Sequence, residues 1–136
     1  MQTQSITVHA TYKDIRQPAE HLRAMLSANQ VPEEVINLCE MALQELLTNL
    51  VDHAYTNDAS GLIKVTLRWQ NAQIIIETRD QGTPIGTDAL NSVSMPDPSE
   101  LAEGGYGMAI IQAVMDKVEY RRENDENIWQ LVKELH

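Results

Sequence analysis

The chain has 136 residues, 43% hydrophobic and 22% charged, and 20 acidic against 10 basic side chains leave a formal net charge of −10. Those values describe one globular domain with room for a real core rather than a disordered chain. The acidic excess leaves no basic patch to displace counterions from a polynucleotide, which excludes a nucleic-acid reader, while small phosphate ligands held by backbone amides and a divalent cation stay open.

The core must be built from Leu, Ile, Val, Met and Ala, because the chain has no Phe. Its single cysteine, Cys39, falls on a buried helical side, which rules out an internal disulfide framework and fits a reducing compartment. No apolar run approaches the ~20 residues of a membrane helix. Met1-Gln2-Thr3-Gln4 lacks the basic-then-hydrophobic pattern of a secretion signal. The expectation is a single cytoplasmic domain over residues 1–136.

Ser5 to Ala10 alternates and reads as a first strand, with His9 on its surface. Ile15, Ala19, Leu22, Met25 and Leu26 recur at helical spacing within residues 12–29, and Pro18 comes early enough to be tolerated. Pro32 followed by Glu33 and Glu34 opens a long central helix expected to run to about Tyr55. Its apolar side comprises Val35, Cys39, Ala42, Leu43, Leu46, Leu50 and Ala54. Asn57-Asp58-Ala59-Ser60-Gly61 is turn chemistry. Leu62 to Gln70 and Gln73 to Arg79 are strands joined at Gln70-Asn71-Ala72, an antiparallel hairpin. From Gln81 to Gly104 no period holds, and prolines 84, 96 and 98 forbid regular pairing. A loop so long in a small domain, flanked by glycines, suggests a mobile cover over a site. A short amphipathic helix comes after Gly107, and Val118 to Arg122 and Ile128 to Lys133 form a last hairpin. The order β-α-α-β-β-loop-α-β-β implies an α+β fold, a largely antiparallel sheet with helices on one face.

Three features carry chemistry. Glu45 and Asn49, one turn apart, fall along an edge of the apolar stripe, with His53 inside it. An acid and an amide there are costly unless something pairs with them. Asn49 can offer an oxygen to Mg²⁺, which takes few protein ligands, and Glu45 can accept a proton from an attacking hydroxyl. A helix-edge Glu and a capping Asn are the plain alternatives. Asp80 ends a hydrophobic strand before Gly82, where its carboxylate can take a hydrogen bond from an exocyclic amine such as that of adenine; an Asx turn is the alternative. Gly104-Gly105-Tyr106-Gly107 at a helix start lets backbone N–H groups approach a phosphate, or serves only as a turn. It is neither a P-loop nor a dinucleotide fingerprint, since no Gly-Lys-Ser/Thr and no parallel βαβ unit accompany it.

Taken together these segments resemble the GHKL (Bergerat-fold) ATPase superfamily of histidine kinases, gyrase and MutL-type proteins. Glu45-x-x-x-Asn49 looks like its N-box, Asp80-x-Gly82 its adenine-binding G1 box and Gly105-x-Gly107 its G2 box. Within it the chain looks most like the stand-alone anti-sigma factor serine/threonine kinases. It shares Glu-x-x-x-Asn-x-x-x-His-Ala-Tyr at 45–55, lacks a phosphoacceptor-histidine domain, and has Gly-Gly-Tyr-Gly-Met-Ala-Ile-Ile after the loop.

The resemblance implies a two-layer α/β sandwich with a mostly antiparallel mixed sheet, and Mg-ATP bound under a lid of about residues 81–104. It implies phosphorylation of a serine or threonine on a STAS-type anti-sigma factor antagonist, sequestration of a sigma factor or another regulator, and in many members a homodimer. By position it makes Glu45 the general base and Asn49 the Mg²⁺ ligand. Asp80 and Gly82 would hold adenine, and Gly104, Gly105, Gly107 and Met108 would lie at the phosphates. A module that holds nucleotide only to sequester a partner is the alternative. Two positions depart from the pattern: Gln81-Gly82-Thr83-Pro84 replaces the Gly-x-Gly of many G1 boxes, and Glu103 stands where some relatives carry a base.

Overall fold

Alternation along five strands builds a sheet whose covered face meets three helices. The computed structural model describes residues 1–56, 58–84 and 107–135. Its strands are β1 (Gln2–His9), β2 (Leu62–Gln70), β3 (Gln73–Asp80), β4 (Lys117–Glu123) and β5 (Glu126–Glu134). They are ordered β1-β2-β3-β5-β4, and each neighbouring pair is antiparallel, so the described strands include no parallel pair. The helices are α1 (Arg16–Ala28), α2 (Glu33–Asn49) and α3 (Gly107–Val114).

On the covered side, Val8, Ile63, Val65, Leu67, Ile74, Ile76, Trp129 and Leu131 share one hydrophobic cluster with Leu22, Leu26, Cys39, Leu43, Leu46 and Ile111 of the helices. Burial pushes the Cys39 thiol up to about 11, which fits a packing role rather than a reactive one. His9 is exposed at the end of β1, as a sheet-surface residue should be. Both hairpins close on residue pairs with left-handed backbone, Asn71-Ala72 and Asn124-Asp125, the geometry that matches strand twist in a two-residue turn.

Register sets the site. One row crosses all five strands on the covered face: Val8, Ile63, Asp80, Asn127 and Arg122. The neighbouring row is Ile6, Val65, Thr78, Trp129 and Tyr120. Polar residues thus collect where β3, β5 and β4 lie side by side.

The continuous helix expected from Pro32 to Tyr55 changes character instead. Regular α2 stops at Asn49 and Leu50–Ala54 forms a π turn, closed by Tyr55 N–H donating to Leu50 O at 3.0 Å. The wider turn rotates the residues at the helix end away from their α-helical positions. His53, expected on the apolar stripe, is therefore exposed, while Leu50, Val51 and Ala54 stay buried. Asp52, half-buried on the same turn, accepts a hydrogen bond from the Tyr12 hydroxyl.

Candidate functional site

Asp80 is 2% exposed at the end of β3. Its Oδ1 accepts Gly82 N–H at 2.9 Å, the Asx turn that its position before a glycine allows, and Asn127 Nδ2 at 2.8 Å. Its Oδ2 is buried and has no hydrogen-bond partner among the described residues. Such an orphan costs about 1–3 kcal/mol unless a ligand or water satisfies it. Thr78 Oγ1 and Trp129 Nε1, opposite each other in the adjoining row, are also buried with no hydrogen-bond partner among the described residues. Burial raises the Asp80 pKa, opposed by the hydrogen bonds from Asn127 and Gly82 and by the Arg122 charge. The arrangement is a buried acceptor waiting for a donor, and it suits an exocyclic amine.

The π turn forms the floor beside it. Ala54 O accepts Thr83 N–H at 2.7 Å, and a Cβ on Gly82 would lie only 2.5 Å from that same oxygen. Glycine is what lets the chain leaving β3 cross the helix end this closely. The Tyr55 hydroxyl, reached over Gly61, donates to Leu62 O at 2.7 Å and accepts Gln81 N–H at 2.8 Å. Helix end, β2 and the exit of β3 are thereby tied at one point.

At the other end lie Glu45 and Asn49, both half-buried on α2. A Cβ on Gly107, the first residue of α3, would stand 2.7 Å from Glu45 Oε2, 3.5 Å from Asn49 Nδ2 and 3.7 Å from Asn49 Oδ1. Distant segments thus bring an acid, an amide and a bare helix N-terminus together, a suitable setting for phosphate oxygens and a cation. Glu45 also closes one end of a groove of about 600 Å³ between α1 and α2, lined by Arg16, Ala19, Glu20, Met41 and Gln44 among others. No group of three His, Cys, Asp or Glu side chains among the described residues is placed to hold a metal.

Of the residues singled out in the sequence, Glu45, Asn49 and Gly107 meet at one end, and Asp80 and Gly82 at the other. Met108, the second residue of α3, is buried in the core cluster. Gly104, Gly105 and nearly all of the expected lid lie outside the described residues. Sequence reasoning assigned no site role to Tyr55, Tyr120, Arg122 or Asn127. Only the strand order could have found the last three, since β5 must lie between β3 and β4 before Asn127 faces Asp80.

Comparison with known proteins places the chain in context. A histidine kinase-like ATPase domain family model matches residues 8–133. "Serine-protein kinase RsbW" of Oceanobacillus iheyensis is 33% identical over 90 residues, 62% of this chain and 57% of that protein. "Anti-sigma F factor" of Bacillus cereus is 26% identical over 102 residues, 73% of this chain and 68% of that protein. The chain therefore spans little more than half the length of the RsbW relative. The structure of the RsbU and RsbW domains of a Mycobacterium tuberculosis protein superposes with a TM-score of 0.71 at 20% identity, over 99% of this chain and 32% of that one. No helix among the described residues is long and apolar enough to cross a membrane.

Proposed function

Because the chain belongs to the histidine kinase-like ATPase domain family, we propose that it is an ATP-dependent serine/threonine protein kinase of the anti-sigma type. Its substrate would be a STAS-type anti-sigma factor antagonist; phosphorylation would release that antagonist and leave the kinase to hold a sigma factor or another regulator. One observation supports the nucleotide above all: the buried Oδ2 of Asp80, which has no hydrogen-bond partner among the described residues. Adenine presents a donor there, whereas guanine presents a carbonyl that would face the carboxylate acceptor to acceptor.

ATP supplies the γ-phosphoryl group. At the other end Asn49 Oδ1 would give Mg²⁺ one protein oxygen, the remainder coming from phosphates and water. Glu45, beside Gly107 and lining the α1–α2 groove, would receive the acceptor's hydroxyl proton. The hydroxyl oxygen forms the new P–O bond, the bond between the γ-phosphorus and the β–γ bridging oxygen breaks, ADP leaves, and the proton rests on Glu45. Gly104 and Gly105 would add backbone N–H groups, and residues 81–104 would exclude water. The single buried cysteine supports a cytoplasmic setting, and the resemblance alone supports a homodimer.

The names of the relatives support the kinase and anti-sigma reading, and retention of Glu45 favours transfer over mere binding, since a holder of nucleotide needs no base. The test is transfer of label from ATP to a STAS-domain antagonist by wild type and Glu45→Gln. Transfer that Glu45→Gln lowers at least about a hundredfold supports the base role. Equal transfer by both removes Glu45 from it. Tight ATP binding with no transfer favours a sequestration module.

A further inference from the structure

Asn127 is wholly buried, and its hydrogen bonds can be assigned atom by atom. Its Oδ1 accepts the Tyr120 hydroxyl at 2.6 Å and Arg122 Nη1 at 2.9 Å. A guanidinium only donates, so the carbonyl of the amide must face β4 and its NH₂ must face β3. Two amide protons then meet three acceptors: Asp80 Oδ1 at 2.8 Å, Gly82 O at 3.1 Å and Thr83 O at 3.3 Å. One proton goes to Asp80 and the other is shared between the two carbonyls. Arg122 Nη1 adds a bond to Gly82 O at 3.2 Å from the far side.

The consequence lies at Asp80. With Gly82 N–H and Asn127 both on Oδ1, that oxygen is saturated and the carboxylate cannot turn about its last bond without losing two hydrogen bonds. Oδ2 alone faces the ligand. The same amide holds the carbonyls of the first residues after the Asx turn. An apolar side chain at 127 would leave Asp80 Oδ1 held by Gly82 N–H alone and Gly82 O by Arg122 alone, and would take from Thr83 O its amide donor.

We propose that Asn127, oriented by Tyr120 and Arg122, is the positioning residue of the base pocket, fixing Asp80 as a one-oxygen acceptor and so setting the preference for adenine. This rests on the adenine-nucleotide reading of the site. The charged and titratable groups that bear on Asp80 are Arg122 from β4, Glu126 from β5 and Tyr55 beyond the π turn.

The test measures ADP and GDP binding with Mg²⁺ by calorimetry, with circular dichroism to verify folding, for wild type, Asn127→Leu, Asn127→Asp and Tyr120→Phe. Asn127→Leu should weaken ADP at least about tenfold at every pH and lower the ADP-to-GDP ratio. Asn127→Asp sets two carboxyls against each other, and one shared proton can stand in for the amide N–H. Its ADP affinity should lie within a few-fold of wild type near pH 5.5 and fall about tenfold or more by pH 8, whereas wild type holds or strengthens as pH rises. Lost packing would not recover on acidification. Tyr120→Phe keeps the ring against Trp129 but removes one donor, and should cost about two- to fivefold in ADP affinity without unfolding the chain. Wild-type affinity and base preference in the folded variants at all pH values would overturn the proposal while leaving the adenine reading intact. Failure of wild type itself to bind ADP would overturn both.

Discussion

Replacing Asp80 by Asn removes a charge and leaves the shape. Burial holds this carboxyl above its ordinary range, so the folded chain keeps the proton to a higher pH than the unfolded chain does. Between the two pKa values the unfolded state carries fewer protons, and the Asp80 contribution to stability falls as pH rises through that window. Adenine binding in the proposed site would run the opposite way, because the amine needs the ionised form. Asp80→Asn should therefore melt no lower than wild type at neutral pH yet take up no ADP, as scanning and titration calorimetry would show. Two glycines separate in the same manner. A Cβ at Gly82 meets the Ala54 carbonyl, which cannot yield, so Gly82→Ala should cost about 2–4 kcal/mol in urea denaturation. A Cβ at Gly107 meets the far end of the Glu45 side chain, which can swing aside. Gly107→Ala should melt within a few degrees of wild type but lower kcat about ten- to a hundredfold, through displacement of Glu45.

At the scale of elements, local pattern carried a long way. Alternation located β2 and β3 to within a residue, and the Pro32-Glu33-Glu34 start of α2 was readable because a fixed φ and a positive dipole end favour those residues there. The π turn was not readable. Leu50 and Ala54 continue the α-helical apolar spacing, and the departure becomes intelligible only with Thr83 N–H on Ala54 O, a contact from a remote segment. That is why His53 was misplaced. Turn chemistry was also only half legible: Ala72 sits at φ 56°, a region that disfavours any side chain with a Cβ. Ala72→Gly should raise stability by about 0.5–1 kcal/mol in chemical denaturation and leave nucleotide affinity unchanged, since the turn lies at the opposite end of β3 from Asp80.

Over the whole molecule, saturating ligand should report on the fold as much as on the site. Mg-ATP at a hundred times its Kd would add about 2.7 kcal/mol and raise Tm by roughly 5–12 °C, measured by thermal shift, with no response to double-stranded DNA. The Glu45–Asn49 spacing, Asp80 and Gly107 were legible because each lies within a short run of chain, whereas Asn127, which completes Asp80, comes from 47 residues on and carries no local signal. The placement of β5 between β3 and β4 has one more consequence, for synthesis on the ribosome. Until residues 126–134 have left the exit tunnel, β3 presents a bare edge and the pocket beside Asp80 lacks its second wall. A nascent chain arrested before that point should gain no protection from added ADP and should recruit chaperones through that bare edge, a state that ends once β5 pairs with β3.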